Sequence, residues 1–125
     1  MEVDKYQSNA MKTAQYPDIG MNLLYPGIGL AGEAGEVCNN IKKLMRDYGY
    51  KQGMNFAQFY ASLPSKGQKL VNDTHEELGD VLWYIATMCH EFGITMQSVA
   101  RGNNVKLDRR YERKRISLND INFEE

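Results

Sequence analysis

Apolar residues recur along the chain at three- and four-residue steps and nowhere alternate strictly over six residues, a pattern that predicts helices and no strands. Val3, Tyr6, Ala10 and Ala14 mark a short first helix over 2–14. Leu30, Ala34, Val37, Ile41 and Leu44 form the stripe of a second, which starts at Asn22 or at Gly29 and ends near Arg46. A third spans 67–92, with Leu70, Leu78, Val81, Leu82, Ile85, Met88 and Phe92 as its seam and Gly93 closing it. The fourth, over 96–114, becomes strongly basic toward its end. Residues 47–66, rich in Gly, Tyr and Phe, read as a connector with one short helix at 56–62. The expected fold is all-α, a single domain over 1–115 followed by the polar tail ISLNDINFEE at 116–125.

Length and charge narrow the class. A chain of 125 residues and 14.3 kDa closes one core and not two, and a compact protein of that mass exposes roughly 6,800 Å². With 42% hydrophobic and 25% charged residues the chain is not disordered, and a net charge of −1 argues against a globally basic nucleic-acid binder. No apolar run is long enough for a membrane span and no secretory signal opens the chain, so a cytoplasmic protein is expected. Cys38 and Cys89, with His75 and His90, show no zinc-site spacing and read as reduced packing residues.

Candidate chemistry lies in two acid pairs, Glu33 with Glu36 and Glu77 with Asp80, each three residues apart on a long helix. At about 100° per residue, with Glu33 at zero, Glu36 falls near −60°, Asn40 near −20° and Lys43 near −80°. With Glu77 at zero, Asp80 falls near −60° and Tyr84 near −20°. The acids thus border the apolar seam on the same flank of both helices, whereas a solvated face would lie opposite it, where Gly35, Cys38, Lys42 and Arg46 stand. Helices packed side by side would bring four carboxylates together, which repel unless a cation sits between them. Carboxylates without imidazole or thiolate suit a hard ion, Mg²⁺ with Mn²⁺ as substitute, and neither pair has the histidine of a di-iron Glu-x-x-His motif. Mg²⁺ usually shares its shell with substrate phosphates, so phosphate chemistry follows.

The C-terminal stretch agrees. Lys106, Arg109, Arg110, Arg113, Lys114 and Arg115 crowd ten positions, and Lys106 and Arg110 share one helical face with Asn103. A lysine point charge beside an arginine fork is a common phosphate grip. The same residues could be a solvated helix end or a nucleic-acid patch, but aromatic interleaving beyond Tyr111 is missing, so no nucleic-acid partner is expected.

Three segments, YPGIGLAGEAGEVCNNIKK, EELGDVLWYIATMCHEFGI and NNVKLDRRY, together with the YQSNAMKTA opening, resemble the MazG-like nucleotide pyrophosphohydrolases of the all-α NTP pyrophosphatase superfamily. The resemblance runs over roughly residues 5–112. It implies a four-helix bundle that assembles as a homodimer or homotetramer, with the site often completed near a subunit interface. It implies hydrolysis of a nucleoside triphosphate between its α- and β-phosphates, giving a monophosphate and pyrophosphate, in clearance of nucleotide pools. Glu33, Glu36, Glu77 and Asp80 match the family's Mg²⁺ positions, and Glu33 or Glu36 would orient the attacking water. Lys106 and Arg110 match the phosphate-binding pair, Asn103 or Asn104 the family asparagine, and Tyr84 a phosphate-contacting tyrosine; Lys43 projects from the same face. The chain departs from the family in the long connector, where Tyr48, Tyr50, Phe56, Phe59 and Tyr60 form either a lid or base pocket or a packing layer. The competing reading is a non-catalytic bundle that binds nucleotides or a partner through the same acidic groove.

Overall fold

The computed structural model describes the backbone of residues 1–124 and the side chains of residues 1–118. It is all-α: α1 (Val3–Thr13), α2 (Leu24–Tyr48), α3 (Phe56–Ser62), α4 (Ser65–Phe92) and α5 (Met96–Glu124), with no strand among the described residues. The short connector helix stands where it was expected. Asn55 caps it, its Oδ1 accepting from the Gln58 amide at 3.0 Å.

Helix ends follow local chemistry. Pro26 sits in the first turn of α2, where an amide hydrogen would have no intrahelical acceptor. Gly49 and Gly93 adopt left-handed φ of 74° and 71° and close α2 and α4, their amides donating back to the last turn. α5 continues to Glu124, past the expected end at Lys114; side chains of the tail beyond residue 118 lie outside the described residues.

The backbone of the fold is the antiparallel pair α2 and α4. Gly27 faces Met88, Gly29 faces Tyr84 and Gly67 faces Tyr48, which fixes the direction and register. One core, around Leu44, Phe59 and Leu63, pins α3 across the end of this pair, with Tyr48, Tyr50, Tyr60, Leu70 and Val71 around it. Connector aromatics therefore pack on the bundle: Tyr50 meets Phe59 edge-on at 5.1 Å and Phe56 at 6.3 Å. A second core, around Ala10, Ala86, Cys89 and Met96, seats α1 on α4. Cys89 is a buried packing thiol there, whereas Cys38 is exposed.

Gln7 locks that second core. Its Nε2 donates to the carbonyls of Ala86 (3.4 Å) and Ile94 (3.2 Å), while its Oε1 accepts from the Met96 amide at 2.8 Å. One side chain thus joins α1, the end of α4 and the start of α5. From Ser98 onward α5 is exposed on every described residue and approaches α2 nowhere.

The helix seam differs from the one the stripes suggested. Facing α4 on α2 are Leu30, Glu33, Val37, Asn40 and Leu44, while Ala34 and Ile41 are exposed. On α4 the inner line is Leu70, Thr74, Glu77, Val81, Tyr84 and Met88, while Leu78 and Leu82 stay 54% and 41% exposed. The apolar stripes are wider than one helix contact, and the chain uses only the edge nearest the acids. The exposed surface is 9448 Å², well above the roughly 6,800 Å² of a compact protein of this mass.

Replacing Gln7 by Ala leaves a buried amide and two carbonyls short of a partner. The expected cost is about 2 to 3 kcal/mol, read as a lower urea midpoint with unchanged slope.

Candidate metal centre

Because the seam is turned toward the acids, Glu33 and Glu77 sit inside the α2–α4 interface and not on its flank. One carboxylate oxygen each from Glu33, Glu77 and Asp80 lies within 4.8 Å of the others. Glu33 and Glu77 are half-buried and Asp80 is exposed, so the group opens to solvent on one side. At an effective dielectric of 20, ionised carboxylates at such range repel by about 3 kcal/mol per pair.

The chain does not relieve this repulsion itself. Among the described residues the ion pairs join Arg46 to Asp47, Lys69 to Asp73 and Arg115 to Glu112, and none includes these acids. Hydrogen bonding to the Glu77 carboxyl, then burial, then the charges of Glu77, Asp80 and Glu36 push Glu33 up to about 7. Glu33 Oε2 is moreover buried with no hydrogen-bond partner. An orphaned carboxylate oxygen beside two further carboxylates fits a hard divalent cation, which takes oxygen ligands and removes both penalties at once.

The remaining candidates divide into those near this cluster and those far from it. Glu36 is exposed, one turn along α2, outside the close trio though its charge reaches Glu33. Tyr84 is half-buried, its ring lying across Gly29, where any Cβ would collide with it. Burial, then Tyr25, then the charge of Glu33 raise the Tyr84 hydroxyl above its ordinary value, which locates the ring beside the acids. Lys43 is half-buried ten residues beyond Glu33, about 15 Å along the helix. It lies near enough to Asp47 to help lower that carboxyl, behind the larger effect of Arg46. Asn103, Asn104, Lys106 and Arg110 are exposed on α5, and within one chain they do not meet the acids.

Three residues in this region escaped the sequence reading as site components. Asn40, placed on the polar face, is in fact buried in the seam at 7% exposure. Tyr25 falls near −80° when the count from Glu33 is run backward, so the start at Asn22, closer to the observed Leu24 than the start at Gly29, already placed it on the acid face. Glu91 gave no local signal, because its partners Tyr16, Gly20 and Asn22 are about seventy residues away in the chain.

An all-α protein with a carboxylate cluster at the contact of its two long helices is the class these features define. Residues 27–114 match the family model of the MazG nucleotide pyrophosphohydrolase domain. The chain belongs to this family. It is also similar to the Gene 37 protein of Mycobacterium phage L5, 36% identical over 118 residues that cover 90% of this chain and 91% of that one. No solved structure matches, and no described helix is long and apolar enough to cross a membrane.

The raised Glu33 carboxyl sets a pH dependence. Its folded value of about 7 exceeds the ordinary 4.5, so the metal-free folded state holds the extra proton between these values and loses stability as pH rises through them. Melting followed by circular dichroism in chelator should show a falling Tm from pH 4.5 to 7.5, with a flatter profile for Glu33→Gln. Adding Mg²⁺ at pH 7.5 should restore stability, by about 2.7 kcal/mol at a hundredfold excess over Kd.

Proposed function

We propose that the protein is a Mg²⁺-dependent nucleoside triphosphate pyrophosphohydrolase, with Mn²⁺ as a substitute ion, that cleaves ribo- or deoxyribonucleotides between the α- and β-phosphates. The observation that carries this reading is the trio Glu33, Glu77 and Asp80 with its unpartnered buried oxygen, in a chain of the MazG family. Glu33, Glu36, Glu77 and Asp80 hold the ion, and the catalytic unit comprises residues 1–115. When bound, the cation neutralises phosphate charge and lowers the pKa of a water.

The chain's own groups do the rest. Glu33 or Glu36 orients the water and accepts its proton as the new P–O bond forms. The bond between the bridging oxygen and the α-phosphorus breaks, and pyrophosphate leaves with the electron pair. Tyr84 donates its hydroxyl hydrogen to a phosphate oxygen, and Asn103 or Asn104 hydrogen-bonds beside it. Lys106 and Arg110 grip the charge of the transferring group, with Lys43 at the far end of the acid face. Removal of surplus or non-standard nucleotides in the cytoplasm is the role this activity serves.

Oligomerisation belongs to the same proposal. Lys106 and Arg110 stand on the exposed stretch of α5, which has no contact with α2, and the apolar flank of Ile41, Met45, Leu78 and Leu82 is uncovered. A second copy, in a homodimer or homotetramer, covers that flank and carries its own Lys106 and Arg110 to the acids of the first. No nucleic acid and no membrane is needed as partner.

The test is pyrophosphate release from a panel of NTPs and dNTPs with Mg²⁺, with the monophosphate identified. Glu77→Gln and Asp80→Asn should abolish turnover while keeping helical content, and Arg110→Ala should cost about 1.5 to 3 kcal/mol in kcat/KM. A folded wild-type protein that releases none from any substrate would instead be the non-catalytic nucleotide-binding bundle.

Subunit sharing has its own test. Glu77→Gln and Arg110→Ala proteins, unfolded and refolded together, should regain up to about a quarter of wild-type sites, because one site of each mixed dimer is intact. Activity no higher than the sum of the separate variants would place Arg110 in its own subunit's site.

A further inference from the structure

Beyond the acids, the open face of the α2–α4 pair carries an aromatic arrangement that phosphate chemistry leaves unexplained. Tyr25, in the first turn of α2, is 45% exposed, yet its ring has aromatic neighbours in Tyr16 and Tyr84. Tyr16, buried, stacks on it at 5.1 Å and 13°. The Tyr16 hydroxyl donates to Glu91 at 3.0 Å, and the same carboxylate accepts from the amides of Gly20 and Asn22, both at 2.6 Å. Burial would raise Glu91, but these hydrogen bonds outweigh it and keep the carboxylate charged. Asn22 completes the clamp, its side chain accepting from the Tyr25 amide at 3.2 Å and donating to the Pro17 carbonyl at 2.9 Å.

The far side of the arrangement leads to the metal centre. Tyr25 lies 6.4 Å from Tyr84, ring to ring, and Tyr84 feels the charges of Glu33 and Asp80. Tyr25 precedes Glu33 by eight residues on the same face, about 12 Å along the axis. That is the kind of span a nucleotide covers from its phosphates to its base. A loop tied by a charged carboxylate to a buried tyrosine is costly scaffolding for an exposed side chain, unless the ring has to be ready for a flat ligand.

We infer that Tyr25 is the stacking platform for the nucleobase of the substrate, backed by Tyr16 and steadied by Glu91. The inference rests on the reading of the acid cluster as a nucleotide site and adds the base subsite to it. Stacking uses the π-face that every base shares, so this subsite accepts purines and pyrimidines alike and favours the larger ring. It binds the base and takes no part in the bond-breaking step.

Binding titrations separate the two halves of the ligand. Wild type, Tyr25→Ala, Tyr25→Phe and Tyr25→Trp are titrated with an α,β-methylene purine nucleoside triphosphate and with inorganic tripolyphosphate, each with Mg²⁺. Tyr25→Ala should lose about 10-fold in affinity for the nucleotide analogue and nothing for tripolyphosphate. Tyr25→Phe and Tyr25→Trp should keep nucleotide affinity, and their binding keeps the test decisive should the alanine variant unfold. An equal loss for both ligands, an unchanged nucleotide affinity in folded Tyr25→Ala, or a loss in Tyr25→Phe and Tyr25→Trp as large as in alanine would overturn the stacking role. Wild-type binding of tripolyphosphate but not of the analogue would overturn the base subsite alone. Failure of wild type to bind either would remove the nucleotide site on which it rests.

Discussion

Repulsion between carboxylates inside a helix interface is the constraint around which the rest of the fold is arranged. An ordinary antiparallel helix pair buries an apolar stripe, and here the middle of the stripe is Glu33, Asn40 and Glu77. Such a pair holds together only if its ends are tied by other means. One end is tied by Leu44, Phe59 and Leu63 under α3, the other by Glu91 of α4, which accepts from Tyr16 and from the Gly20 and Asn22 amides at the entry to α2. α3 and the segment before α2 are thus more than connectors, for they hold the two acid-bearing helices together against the repulsion between their carboxylates.

The same logic explains the small residues and aromatics along the acid face. Gly29 has no Cβ because the Tyr84 ring occupies that volume, and a ring pressed on backbone cannot swing away from the acids. Tyr84 meets Trp83 edge-on at 5.1 Å, and the Trp83 indole donates to Thr13 Oγ1 at 2.9 Å, so α1 braces the position indirectly. Precision at the site therefore comes from contacts that lie outside it.

Much of this was legible in the chain. Helical period placed α1, α3, the end of α4 and the start of α5, since Gly93 and the short Phe56–Ser62 run are local signals. The acid spacing pointed to the carboxylate cluster of Glu33, Glu77 and Asp80, because three-residue spacing fixes which side chains share a face. The orientation of the seam was not legible. Ala34, Ile41, Leu78 and Leu82 read as core because a period reports the whole apolar sector and not which part a neighbour in the same chain will cover. Long-range ties were equally silent: Gln7 reaches Met96, and Glu91 reaches Tyr16, across most of the sequence.

The near-zero net charge takes on a physical meaning in this geometry. Had Lys106 and Arg110 folded against Glu33, Glu77 and Asp80 in the same chain, each set would have quenched the other, and any cation or phosphate would first have to break those pairs. Instead α5 makes no contact with α2 and is exposed from Ser98 through Leu118, so among the described residues its positive charges do not pair with the acids. The acids then stay unpaired, with Glu33 holding a proton near neutral pH until something of opposite charge replaces it. Opposite charges kept apart within a protomer store the attraction for whatever joins them. On the proposed reading a cation would draw on it at the acid cluster and a phosphate at α5, so a metal-bound polyphosphate, which carries both, would match the two halves better than either ion alone.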